Sequence, residues 1–455
     1  MATLPINLNS GAASGNGIDV TAVVDQLMAT ARLPETLMKA QQAQLALQSA
    51  ALATINNLLA NLLTNANALS DASGALDSRA VTSSQSNILT ASVLSSAALG
   101  SHTIVVANLA TTGSAYSNSL ADGTTTFATG VFTLQVGANS TPITVDSSNN
   151  TQNKLAAYIN SHSYGVTASV IKDDKGTRLT FVANVSGDSG NITIDNSTNT
   201  TGLTFNLGSA GANANLSVDS VPISSATNTI TGAIPGVTLN LLSSAPSTPV
   251  TITISRDVST ATQAINNFVT NYNNLIKTIN AQFTYNPISN TAGPLAADSS
   301  LSNLQSQVLF DVSYAIDHNN GIVNLASIGV NMNNDGTLTV DSVALNDALT
   351  NHSADVKNFF QQASPAGFAT HLKAELTVLN DPTSGLLYTD LAGIKNSQDS
   401  ISRQIDDFEV RMAAKQDLLT REYVQIDVML RQLPLLQASV SGQLASLAGL
   451  NPTGH

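Results

Sequence analysis

The side chains able to do chemistry are few and scattered. The chain has six histidines, His102, His162, His318, His352, His371 and His455, and no two lie three or four residues apart. A helical zinc site of the HExxH kind needs that spacing, so none is expected. There is no cysteine, which removes disulfides, thiolate nucleophiles and thiolate-bound metals. Neither a GxSxG nucleophile turn nor a phosphate-cradling GxxxxGK[ST] loop occurs. Glutamate appears four times, at Glu35, Glu375, Glu409 and Glu422. The last two fall in a heptad region, where a charged helix face is expected rather than acid–base work. One near-match to a calcium loop runs through Asn331, Asn333, Asp335 and Gly336, but its twelfth position is Ser342 instead of a bidentate glutamate. The alternating flanks point to a β-hairpin turn there. No catalytic residue, cofactor or metal is expected, and an enzyme such as a surface hydrolase finds no support at the required spacings.

Composition narrows the classes further. Lys and Arg total 17 in 455 residues, the formal charge is −13, and charged residues make up only 10% of the chain. A nucleic-acid partner would need a basic face, so none is expected. At 42% hydrophobic content the chain can bury cores and is not broadly disordered. Ser, Thr, Asn, Ala and Gln replace the missing charges. Such a surface repels its own copies weakly and suits association of like subunits. No stretch of about 18 apolar residues suggests membrane insertion. Residues 1–17 show neither the basic start nor the apolar run of a secretory signal. That leaves the cytoplasm, or export by a route without a cleaved signal peptide.

The elements that position these residues fall into two textures. Val20, Val23, Val24, Leu27, Met28 and Ala31 share one helix face, with Asp19 as N-cap and Pro34 as a stop. From 35 to 69, Met38, Leu45, Leu52, Leu59 and Ala66 repeat every seven residues. Gln41, Gln48, Ile55, Leu62 and Leu69 form the companion seam. Lys39 is the only charge between Thr36 and Ser70, so the flanks of this helix are expected to be covered by protein. A helix within a globular bundle is the plainer alternative to a coiled coil. At the other end Ile405, Met412, Leu419, Ile426, Leu433, Val440 and Leu447 keep a strict interval of seven. The companion seam reads Ile401 and Phe408, then slips to Tyr423, Leu430 and Leu444. Pro434 should kink this helix, or end it and let it restart.

Between about 78 and 256 the chain is rich in Ser, Thr, Gly and Asn, with short β-type runs such as HTIVVA, VFTLQV and VTITIS. VTASVI-KDDKG-TRLTFVA reads as a hairpin, and TQNKLAAYINS as one short helix. Helical spacing returns after 257: Ile265, Phe268, Val269, Tyr272, Leu275, Ile276 and Ile279 share one face, and Leu301, Leu304, Val308, Leu309 and Val312 another. A hairpin with an Asp335-Gly336 turn lies at 327–342. The expected fold is α+β and elongated: terminal helices form a coiled-coil or helical-bundle leg, and a β-rich head of two subdomains is inserted between them. The expected segments are flexible tails at 1–17 and 448–455, leg helices at 18–77, and a first head domain from 78–120 and 213–256. A second head domain is inserted at 121–212, a helical leg domain spans 257–400, and a heptad helix spans 401–447. The expected assembly residues are Met38, Leu45, Leu52, Leu59, Ile405, Met412, Leu419, Ile426, Leu433 and Val440.

Several segments resemble the bacterial flagellar filament cap family, also called hook-associated protein 2. GIDVTAVVDQLMATARLPETLMKAQQAQL at 17–45 looks like that family's opening. IPGVTLNLLSSAPSTPVTITISRDVSTATQAINNFVTNYNNLI at 234–276 is the strongest likeness, and LASIGVNMNNDGTLTVDSVALNDAL at 325–349 and the C-terminal heptads also fit. Residues 128–195 resemble a β-rich repeat of flagellar axial proteins. The resemblance implies a ring-like homo-oligomer at the flagellum tip that promotes insertion and polymerisation of exported flagellin and prevents its loss. It also implies contacts with hook–filament junction proteins and a cytosolic export chaperone, and export by the flagellar type III route. A surface adhesin binding mucin or glycans through the β-rich head is the competing reading.

Overall fold

The computed structural model describes residues 17–285, 287 and 291–448. The expected tails therefore lie outside the described residues, apart from Gly17 and Ala448. The chain opens with helices α1 (Val20–Ala31) and α2 (Leu33–Ser70), followed by strands β1 (Arg79–Ser83), β2 (Leu89–Val93), β3 (Gly100–Asn108) and β4 (Thr112–Ser117). Then come β5 (Gly130–Val136), β6 (Asn139–Val145), α3 (Gln152–Asn160), β7 (Val166–Asp173), β8 (Gly176–Ser186), β9 (Ile192–Ile194) and β10 (Phe205–Ser209). Strands β11 (Ala214–Val218), β12 (Val221–Ser225), β13 (Thr229–Ile234), β14 (Val237–Leu241) and β15 (Ala245–Arg256) complete the β region. The remainder holds α4 (Val258–Phe283), α5 (Ser299–Val312), β16 (Val330–Met332), β17 (Leu338–Val340), α6 (Ser342–Asn351), α7 (Ser353–Gln361), α8 (Phe368–Leu379) and α9 (Leu386–Ala448). Helical ends and a β-rich middle make the α+β class plain.

Two compact units divide the chain. One takes residues 1–70, 266–342 and 358–455; the other takes 71–265 and 343–357. The first is built on helices. In α4, Phe268, Val269, Tyr272, Leu275, Ile276 and Ile279 form a buried stripe. Phe268 meets Phe368 edge-on at 5.7 Å, and Phe359 stacks on Phe368 at 5.4 Å. Each buried ring removes a large apolar area from water. The β16–β17 hairpin is tied to α4 by side chains that imitate a strand. The Asn273 amide donates to the Leu338 carbonyl at 2.8 Å and accepts from the Leu338 N–H at 2.7 Å. The buried Tyr272 hydroxyl donates to the Gly336 carbonyl at 2.8 Å, and burial holds this phenol above its ordinary range. Gly336 has φ of +80°, a left-handed conformation that a side chain would strain. The Asp335 carboxylate accepts from the Thr337 N–H and hydroxyl, so it serves its own turn.

The second unit contains two apolar cores. A five-stranded antiparallel sheet, β1-β15-β3-β11-β12, shares one core with the three-stranded sheet β13-β14-β2. Ile104, Val106, Leu239, Val250 and Ile252 are buried in it. A four-stranded sheet, β10-β4-β8-β7, shares the other with β6-β5-β9 and α3. Phe132 lies there 5.2 Å from Phe205, beside Leu155, Ile159 and Phe181. The expected hairpin is β7–β8, paired from Val166↔Ala183 to Asp173↔Gly176. Strand β4 pairs with β8 and β10, so the chain enters the second core by Thr112, earlier than the expected boundary at 121. The inward residues of β4 are Gly113, Ala115 and Ser117, too small to mark a core strand by hydrophobicity.

Three helix limits differ from expectation. Helix α1 already ends at Ala31, and Pro34 sits in the first turn of α2, where a missing N–H costs nothing. Helix α9 starts at Leu386, not 401, because Leu387 is buried and anchors a polar first stretch that has no periodic signal. It also runs unbroken through Pro434, which overturns the expected end and restart. Leu433, Leu435 and Leu436 are exposed there, so the backbone carbonyl that loses its donor is left to water instead of a dry core.

A recurring turn makes the fold sensitive to acid. Asp122, Asp146, Asp195, Asp335 and Asp381 each accept from both the N–H and the hydroxyl of the Ser or Thr two residues on. The hydroxyl bond, then the backbone bond, holds each carboxyl below its ordinary range, with Asp381 well below because Ser384 adds two more donors. A depressed folded value means that the stabilisation is present above the unfolded value, about 3.9. It is lost as pH falls through the folded values. The urea midpoint should therefore drop on going from pH 5 to pH 3. Asp→Asn at these five positions should flatten that dependence; an unchanged slope would contradict the assignment.

Candidate assembly surface

Helices α2 and α9 pack together in the helical unit. The two helices run antiparallel: Ile18, just before α1, lies at Asp427, Lys39 at Glu409, and Gln48 lines one groove with Thr389 and Ser397. The Ile18 N–H donates to the Asp427 carboxylate at 2.9 Å, and Arg431 Nε donates to the same carboxylate at 2.8 Å. Lys39 reaches Glu35 at 2.6 Å and Glu409 at 3.3 Å, and Arg32 reaches Glu35 at 2.8 Å. The Lys39 ammonium and then Arg32 hold the Glu35 carboxyl below its ordinary range, against the opposing effect of desolvation. The lone charge of the heptad stretch thus links α2 to α9.

The expected assembly residues divide into three groups. Leu52, Leu59 and Ile405 are buried, together with the companion residues Ile55, Leu62 and Leu69. Met38, Leu45, Met412 and Leu419 are half-buried. Ile426, Leu433 and Val440 are 43%, 51% and 53% exposed, though their spacing is the same. Leu435, Leu436 and Leu444 add to this exposed apolar surface on the last third of α9. A groove of mixed apolar and polar lining was not expected from the sequence. An open groove of about 720 Å³ is lined by Pro34, Met38, Phe408 and Val410 together with the polar Gln404, Asp407 and Arg411, with the Arg411 guanidinium 5.6 Å above the Phe408 ring. Exposed Leu33 and Leu37 belong to the same first turns of α2. The start of α2 carries Glu35, Thr36 and Lys39 among its apolar residues, so no feature of the sequence separates an open groove from a filled seam.

None of this has the form of a catalytic centre. His102 Nδ1 lies 2.7 Å from the Asp219 carboxylate, but that carboxylate also accepts from the Thr103 N–H and so joins β3 to the β11–β12 turn. Among the described residues, no group of three or more His, Asp or Glu is arranged to hold a metal ion. Among them, too, no helix is long and apolar enough to cross a membrane.

Two family models match the chain in order. The flagellar hook-associated protein 2 N-terminus covers residues 16–113, and its C-terminus covers residues 211–434. The chain belongs to the flagellar hook-associated protein 2 family. The B-type flagellar hook-associated protein 2 of Pseudomonas aeruginosa PAO1 is 29% identical over 399 residues, 81% of this chain and 83% of the relative. The flagellar hook-associated protein 2 of Escherichia coli K12 is 27% identical over 448 residues, 92% of this chain and 94% of the relative. Among solved structures, the D1-D2-D3 domains of the Escherichia coli flagellar cap protein FliD superpose with a TM-score of 0.62 at 27% identity. They cover 76% of this chain and 99% of that one. The two hook-associated protein 2 matches stop at 113 and resume at 211, and the interval between them is the second β core. The C-terminal match ends at Pro434, so Val440 and Leu444 lie beyond it.

Proposed function

We propose that this chain is a structural cap at the distal tip of the bacterial flagellar filament, promoting insertion and polymerisation of exported flagellin and preventing its loss. The reading rests on the hook-associated protein 2 models matching both flanks of the chain in order, with the likeness to a solved flagellar cap protein over three quarters of it. The adhesin alternative gains no support, since the relatives carry hook-associated names. The finer picture is a ring-like homo-oligomer seated on flagellin and delivered past hook–filament junction proteins, after type III export with a cytosolic chaperone. Low charge density and the apolar surface of α9 favour such packing. In that picture Met38, Leu45, Leu52, Leu59 and Ile405 hold the helical unit together. Met412, Leu419, Ile426, Leu433 and Val440 face subunits along the filament axis. A deletion strain tests the function. It should shed unpolymerised flagellin into the medium and carry absent or stunted filaments, restored by the full chain. Normal filaments in that strain would overturn the reading.

A further inference from the structure

The two β cores are joined by two chain crossings, the outgoing one between β3 and β4 and the return between β10 and β11. Such crossings commonly act as flexible linkers. Here they pair with each other: the Thr111 N–H donates to the Ala212 carbonyl at 2.9 Å, and the Ala212 N–H donates back at 3.3 Å. The turn after β8 closes over them. The Gly187 N–H donates to the Thr111 carbonyl at 3.1 Å, and the Asn213 amide donates to the Asp188 carboxylate at 2.6 Å while accepting from the Asp188 N–H at 3.0 Å. That turn also reaches the first core, since the Ser186 hydroxyl donates to the Ala226 carbonyl at 2.7 Å. From the first core the Asn228 side chain grips both the N–H and the carbonyl of Ala110, at 2.7 and 3.0 Å.

Glycines make this closeness possible. A Cβ on Gly113 would fall 2.3 Å from the Gly190 carbonyl oxygen, and one on Gly211 would fall 2.6 Å from the Asn191 nitrogen and the Gly187 oxygen. A Cβ on Gly190 would fall 2.0 Å from the Val185 oxygen. Gly187 sits at φ +82° with the Ala226 Cα 2.7 Å from where its Cβ would be. These contacts are with backbone, which cannot swing aside as a side chain can. The family matches end and resume at 113 and 211, two of these glycines.

We propose that this glycine-packed junction is a rigid mount, so that the two β cores move as one body and the inserted core is held at a fixed angle to the first. Pairing the crossings removes the soft dihedrals a hinge would need, and the Asn213 and Asn228 clips fasten the mount from both sides. The inserted core then transmits force to the first instead of swinging on it.

Pulsed electron-spin distance measurement on the full chain tests this. The protein has no cysteine, so Ser92→Cys in β2 and Thr144→Cys in β6, both at exposed positions, would carry the only labels. The otherwise unaltered chain should give one narrow distance peak. Gly113→Ala with Gly211→Ala should broaden or split that peak while the strand-type circular dichroism stays. Asn213→Ala, which leaves the backbone packing intact, should broaden it less and decides the matter if the glycine variant fails to fold. A broad or bimodal peak in the unaltered junction would overturn the proposal. So would a peak unmoved by every folded variant.

Discussion

Leu52→Ala should lower the stability of the helical unit by about 2–5 kcal/mol, the usual cost of emptying a closed site in a core. Leu52 is fully buried on α2, in line with Ile55, Leu59 and Leu62, with no solvent to fill the space left behind. Leu419→Ala on α9 is the matched comparison. It occupies the equivalent interval of seven, yet it is only half-buried, so the area returned to water is smaller and the loss should stay near or below about 1 kcal/mol. Urea unfolding of the two variants, followed by helix-type circular dichroism, measures the difference. With two compact units the transition need not be two-state, so the comparison is of midpoints for the helical signal. Equal shifts would mean that α9 is as closely packed near Leu419 as α2 is near Leu52, contrary to the observed burial.

The second expected result concerns function without stability. Ile426→Ser, Leu433→Ser and Val440→Ser together should leave the urea midpoint nearly unchanged, since exposed positions usually move stability by no more than about 0.5 kcal/mol each. The same chain should fail to restore filaments in the deletion strain. These side chains are 43–53% exposed at an interval that suits a helical partner. Serine there removes apolar area from any subunit interface while keeping the helix. Full rescue of motility would remove these three residues from the assembly surface. A large drop in midpoint would show instead that they pack within the chain.

Much of the fold was legible because local periodicity reports local geometry. The alternating runs that became β3, β5, β7, β8 and β15, and the 3.6-residue stripes of α4 and α5, needed no knowledge of what lay opposite. The missed features share one physical cause. Strand β4 carries Gly113, Ala115 and Ser117 inward, so it gives no hydrophobic alternation, and its place in the second core comes from pairing with β8 and β10. Pro434 carries a local cost that predicts a break, but the exposed surface around it lets water take up the freed backbone group, and α9 continues.

The assembly residues show the same division most clearly. The sequence by itself determined that Leu52, Leu59, Ile426, Leu433 and Val440 stand on regular helix faces at intervals of seven. Only the tertiary structure decided that the first two are sealed in a core and the last three stay about half exposed. Period is a property of one helix, whereas burial depends on whether a second element reaches that face. Ile18, just before α1, meets α9 at Asp427, and Gly17 lies against Asp427 and Arg431. The glycines divide likewise. Twenty-eight are present, and no local rule singles out 113, 187, 190 and 211. Their meaning comes from backbones far apart in the chain passing closer than a methyl group allows, which only the folded arrangement creates.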